Sequence, residues 1–292
     1  MSLKKSKPGT IMDIATTDVV TLPPTTTIMA ATKTMKTYRF RRLPIADPGT
    51  RRLEGIITAT DLVNFFGGGD KYRIIEKKYS GNLLAAINED VREIMERKVL
   101  TLSYTDDLDD GLELMLSRGI GGCPIVDEEN RVVGIVTERD YLRYMAGMCD
   151  LQGEVSGYMT KSVITAKPTL SIAEAMKIMI SKKIRRLPII EDGLLIGWLN
   201  TPTIIRYFSG EAFKALTTGN ANDVLSQPIL SILSSSSSGY VSPLTVSPDE
   251  TMCEVARKML SRRVGCALVV SDGKLEGIIT EQDMIKFLYK SR

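Results

Sequence analysis

A motif that recurs at a fixed interval constrains a fold strongly, because every copy must form the same local structure and find equivalent neighbours. Four segments of this chain carry one order of features. Each opens with a short β-rich stretch: Val19-Val20-Thr21-Leu22, Val99-Leu100-Thr101-Leu102, Val163-Ile164-Thr165-Ala166 and Leu244-Thr245-Val246. A helical pattern follows, with apolar residues such as Ile172, Ala175, Met176 and Met179 at helix spacing. A corner then leads into an apolar strand, as in Arg41-Arg42-Leu43-Pro44-Ile45, Gly121-Gly122-Cys123-Pro124-Ile125, Arg185-Arg186-Leu187-Pro188-Ile189 and Gly265-Cys266-Ala267-Leu268-Val269. The last strand of each copy starts at Gly55, Gly134, Gly197 or Gly277, and a second helix closes the unit. From the opening threonine to the Thr or Asn ending that strand, the steps 21→58, 101→137, 165→200 and 245→280 span 37, 36, 35 and 35 residues.

The sequence therefore predicts an α/β chain of four β-α-β-β-α units, over 8–68, 87–148, 154–210 and 220–290. One such unit is too small to cover its own apolar faces. Units 1 and 2 are expected to pair, as are units 3 and 4, in a disk-like pseudo-symmetric arrangement. A serine-rich insertion loop is expected over 227–242, and Gly67-Gly-Gly-Asp-Lys71 reads as a helix stop and linker, since it lacks the spacing of a phosphate-binding loop.

Composition narrows the function. The 292 residues contain no histidine, which removes the commonest general base and zinc ligand. A net charge of +3 gives no reason to expect nucleic acid as the main partner. Cys123, Cys149, Cys253 and Cys266 have no metal-type spacing and read as buried thiols of a reducing compartment. The basic start, Met1 to Pro8, lacks the apolar run of a secretory signal, and no apolar run suits a membrane span. A cytoplasmic location without membrane insertion is expected, and self-association stays open.

The repeat, with its terminal Gly-h-h-Thr-x-x-Asp (h, apolar), resembles the CBS domain, two of which form a Bateman module. Four in one chain resemble the γ subunit of AMP-activated protein kinase and its archaeal stand-alone relatives. The resemblance covers nearly the whole chain. It implies that adenine nucleotides, AMP foremost, bind in clefts between paired units, and that the chain regulates an unidentified protein without catalysis or metal.

The residues suit those roles. Thr58 and Asp61, Thr137 and Asp140, and Thr280 and Asp283 could be plain helix caps. Their recurrence at one phase favours contact with ribose or phosphate. Arg41, Arg42, Arg185 and Arg186 offer forked donors for phosphate. Val19, Val20, Thr21, Val99, Leu100, Val163, Ile164 and Thr165 would wall the adenine. Crossing units within a pair, Asp140 would meet Arg41 and Arg42, and Asp283 would meet Arg185 and Arg186. Asp61 would face only Gly121 and Gly122. The third unit replaces the motif with Asn200, Pro202 and Thr203, so its cleft is expected to lack both carboxylate and arginines. Methionines on the helices and Trp198 read as core.

Two alternatives stay open. S-adenosylmethionine or a related adenosyl ligand would suit the fold, although a positive sulfonium is poorly matched to arginine pairs. A small nucleotide-hydrolysing enzyme is the other, with no visible nucleophile–base pair to support it.

Overall fold

The computed structural model of the chain describes residues 9–147, 153–218, 221–234 and 242–291. Cys149 and the serines at 235–238 lie outside them.

Each unit is built by the local signals its sequence carries. The first helices are Ile28–Tyr38, Leu108–Arg118, Ile172–Ser181 and Met252–Ser261, and each starts at a side-chain cap: Thr27, Asp107, Ser171 or Thr251. The cap oxygen accepts from a backbone N–H of the first turn, which otherwise lacks a partner. Their apolar stripes, such as Met252, Val255, Ala256 and Met259, are buried. An antiparallel hairpin follows in each unit: Arg42–Ala46 with Leu53–Thr58, Gly122–Val126 with Val132–Thr137, Arg186–Glu191 with Leu194–Asn200, and Cys266–Ser271 with Lys274–Thr280.

The opening stretches form less strand than the sequence suggested. Only Leu102–Ser103 and Thr245–Val246 join the hairpin as short parallel strands, while Leu22 and Ala166 make single bridges to Ile45 and Ile189. Prolines 23, 24 and 168 follow closely and have no N–H to extend a ladder. The expected loop over 227–242 also needs correction. Leu230–Ser234 is helical with Ile232 buried, and Pro228 bridges the cap residue Ser171. Asp90 makes the equivalent bridge to Thr27, just ahead of the turn Val91–Glu93. Pro228–Ser234 is thus the opening turn of unit 4.

Backbone bridges join units 1 and 2 (Thr16 to Ile135, Ile56 to Glu96) and units 3 and 4 (Thr160 to Ile278). The strand-opening glycines make these approaches possible. A Cβ on Gly277 would lie 2.7 Å from Met159 Sδ and 3.0 Å from the Thr160 carbonyl. The helices pack across the pairs instead. One apolar core joins units 1 and 3, with Phe66 stacked on Phe208 at 4.5 Å. A second joins units 2 and 4, where Tyr141, Phe287 and Leu288 are buried. A pseudo-twofold relation exchanges 1 with 3 and 2 with 4, and the four corners meet at the centre.

Candidate functional site

The Thr-x-x-Asp motif serves as a helix cap and still leaves an oxygen to spare. Asp140 Oδ2 accepts from the Thr137 N–H at 2.8 Å and its hydroxyl at 2.6 Å. Asp61 and Asp283 are held by Thr58 and Thr280 in the same way. Among the described residues, the second oxygen of each, Oδ1, is committed only to a lysine or arginine. Arg143 donates to that of Asp140 at 2.6 Å, and Lys286 lies 3.7 Å from that of Asp283. Asp140 is 4% exposed, and burial pushes its carboxyl above the usual range. In unit 3, Asn200 Oδ1 caps the Thr203 N–H at 2.9 Å, so the cap survives without any carboxylate.

Where the corners meet, the arginine pairs find carboxylates that the sequence did not single out. Glu281 is fully buried and accepts from Arg41 at 2.7 Å and Arg139 at 2.9 Å, with Arg186 at 3.9 Å. Glu138, 1% exposed, accepts from Arg185 at 3.1 Å. Burial alone would raise Glu281, but the charges of Arg41 and Arg139 outweigh it and hold the carboxyl at about 2. Burial and the neighbouring Arg41 charge push Arg42 down to about 10, and no carboxylate lies within 4.0 Å of it among the described residues.

These contacts explain the alternation of arginine and glycine corners. A Cβ on Gly121 would lie 2.7 Å from nitrogens of both Arg42 and Arg185, and one on Gly265 would lie 2.5 Å from Arg186. The centre has room for two arginine pairs because the other two corners carry only Gly121, Gly122, Gly265 and the small Cys266. Glu138 and Glu281 follow Thr137 and Thr280 in the same glycine-cornered units, whereas Ala59 and Thr201 stand there in the others. That alternation was the available signal.

A cavity of about 720 Å³ opens beside the cluster. Val19 and Val20 of unit 1 and Thr137 and Asp140 of unit 2 line it, together with Arg41, Arg42, Arg185 and Arg186. Thr21 does not line it, and neither do Val99, Leu100, Val163, Ile164 or Thr165. Leu100 and Ile164 are each 37% exposed, four residues on from the bridges that Glu96 and Thr160 make to Ile56 and Ile278. Trp198 is 5% exposed, as expected of a core residue, yet it also borders the cavity.

The Asp61 cleft is different. Lys71, read from sequence as linker, donates to Asp61 Oδ1 and to the Ile94 carbonyl. Its ammonium ties unit 1 to the opening turn of unit 2, across the gap between them. No motif marks this lysine in the sequence.

Cys123, Cys253 and Cys266 are buried. Burial pushes the Cys123 thiol up to about 12 and that of Cys266 to about 11, which keeps both protonated at neutral pH. Among the described residues no group of three or more Cys, Asp or Glu is placed to hold a metal, and no helix is long and apolar enough to cross a membrane.

Four paired α/β units, three of them with a capped Thr-x-x-Asp motif and one of those lining a cavity between units, define a class of protein. The CBS-domain model matches residues 11–68, 91–147, 154–210 and 239–290, and the chain belongs to that family. Among individual proteins it is similar to MJ1225 of Methanocaldococcus jannaschii, with 35% identity over 271 residues, 92% of this chain and 95% of that one. The solved structure of MJ1225, proposed as an archaeal homolog of γ-AMPK, superimposes with a TM-score of 0.89 over 96% of this chain and 99% of that one. A 33.4 kDa protein of the Thermofilum pendens ribosomal RNA operon is 30% identical over 266 residues, 90% of this chain and 86% of that protein.

Proposed function

We propose that the chain is a non-catalytic sensor that binds adenine nucleotides, chiefly AMP, in the Asp140 and Asp283 clefts and regulates a partner protein. The observation that carries this reading is a buried, capped aspartate, Asp140, lining one cavity with apolar Val19 and Val20 and with Arg42. The apolar segment suits a purine, the carboxylate a ribose diol, and the guanidinium a phosphate. Arg143 is 60% exposed at its side chain, so its bond to Asp140 is easily exchanged for one to a ligand. Membership of the CBS family, similarity to MJ1225 and thiols that stay protonated support regulation without catalysis. S-adenosylmethionine is disfavoured, because a sulfonium would enter a cavity already rich in guanidinium groups.

AMP at one hundred times its dissociation constant is expected to stabilise the fold by about 2.7 kcal/mol per site. Asp140→Ala and Asp283→Ala are each expected to remove one site in calorimetry, whereas Thr203→Ala removes none. Melts unchanged by millimolar AMP would overturn the reading. Equal affinity for 2′,3′-dideoxy-AMP would remove the aspartates from the ribose role, since a buried acceptor left unpaired costs affinity.

On the same reading Lys71 closes the Asp61 cleft. Lys71→Met is expected to add one AMP site per chain, read as a calorimetric stoichiometry rising from two to three. A stoichiometry that stays at two would assign the closure to the missing arginines instead.

A further inference from the structure

The cleft that ends on Thr203 was expected to have no charged donors. The structure brings arginines to it from three units. Arg39 comes from the end of the first helix of unit 1, Arg206 from unit 3, and Arg262 and Arg263 from the end of the first helix of unit 4. All four line the same cavity as Trp198. Among the described residues lining that cavity, eleven are Lys or Arg and two, Asp18 and Asp140, are acidic. The whole chain carries a net charge of only +3, so the positive charge is concentrated here.

Arg39, Arg262 and Arg263 have no carboxylate within 4.0 Å among the described residues. Burial and the charge of Arg39 hold the Arg206 guanidinium below its ordinary range, which places two like charges close together. Arg206 donates to Thr203 Oγ1 at 3.1 Å, whereas its counterpart Arg143 donates to the Asp140 carboxylate. Replacing Asp by Thr therefore removed a negative charge from the cleft as well as the ribose anchor. Convergence of like charges costs free energy, and a bound anion recovers it.

We propose that the Thr203 cleft is a ribose-independent site for a chain of phosphates, held by Arg39, Arg206, Arg262 and Arg263. This goes beyond the adenosine sites and does not depend on them. An uncapped chain of three phosphates fits the donors: several guanidinium forks, Thr203 in place of the carboxylate a sugar diol would use, and an open approach past exposed Arg39 and Arg263.

The test is calorimetry with inorganic tripolyphosphate, with AMP, adenosine and ATP as parallel ligands. Arg262 and Arg263 are exposed, so Arg262→Gln/Arg263→Gln is expected to keep the parent melting temperature. It is expected to weaken tripolyphosphate at least tenfold while leaving AMP within threefold. Arg39→Gln alone should act in the same direction. The control, Arg97→Gln/Arg257→Gln, removes two exposed charges that do not line the cavity and should change neither ligand. Tripolyphosphate that does not bind, or that is weakened equally by the control, would overturn the proposal. Parallel loss of AMP and tripolyphosphate in the cleft variant would overturn it too, because the two sites would then be one. ATP that behaves as tripolyphosphate does would identify the anion as a nucleotide tail, and ATP that follows AMP would identify it as free polyphosphate. AMP failing while tripolyphosphate binds would reject the adenosine reading alone.

Discussion

Glu281→Gln is expected to lower the unfolding free energy by about 3–5 kcal/mol, the cost of breaking a buried ion pair while its cations stay behind. Glu281 is fully buried and serves Arg41 and Arg139, so both lose their carboxylate at once. Displacement of its carboxyl from an ordinary 4.5 to about 2 corresponds to about 3 kcal/mol, in line with that cost. The pH dependence has a fixed sign. A carboxyl held low in the folded chain contributes its full stability above about 4.5, and the contribution is lost as pH falls towards 2. At neutral pH the melting temperature should drop on the order of 10 °C. At pH 3 the gap between parent and variant should narrow. A gap that is constant with pH would show that the loss comes from packing instead of charge.

Arg42→Gln is expected to weaken AMP at the Asp140 cleft tenfold or more while adenosine binds as before. A net contribution of about 1.5–3 kcal/mol is typical of a hydrogen bond to a charged group, and each 1.4 kcal/mol is a factor of ten. Arg42 is the cleaner of the two corner arginines to change, because among the described residues it makes no salt bridge within 4.0 Å. Burial and the charge of Arg41 push it down to about 10, a cost that a phosphate would relieve. Arg41→Gln should weaken AMP and also lower the melting temperature, since it takes a partner from Glu281. Calorimetry and melting together separate the two roles. Equal loss of AMP and adenosine in Arg42→Gln would place that guanidinium against the nucleoside.

Local signals carried much of the architecture. Caps, apolar stripes and hairpins depend on residues a few positions apart, so Thr27, Ser171 or the Arg42–Thr58 hairpin could be read directly. Misreadings arose where a distant neighbour or a missing donor decided the outcome. Prolines cut the opening stretches short, and the serine run hid the turn Leu230–Ser234 among residues of loop composition. The site divided in the same way. Thr137 and Asp140 lie three positions apart on one cap, whereas Glu281 meets Arg41 across 240 positions. Lys71 reaches Asp61 from what composition marks as linker. Arg39 and Arg263 share one repeat position, two residues before the corner, but only the packing of the units showed that both line the cavity with Arg206.

Among the described residues, three ion pairs cross between the modules: Arg41 and Arg139 both meet Glu281, linking units 1 and 2 to unit 4, and Arg185 meets Glu138, linking unit 3 to unit 2. A single fastening between two rigid halves would set their separation and leave them free to pivot. Two fastenings on either side of an axis also lock the angle. A phosphate that drew Arg41 away from Glu281 would leave Arg139 on the same carboxylate and Arg185 on Glu138, with both shared apolar cores intact. Taking one arginine out of the cluster therefore loosens that corner and leaves the angle between the halves held by the rest.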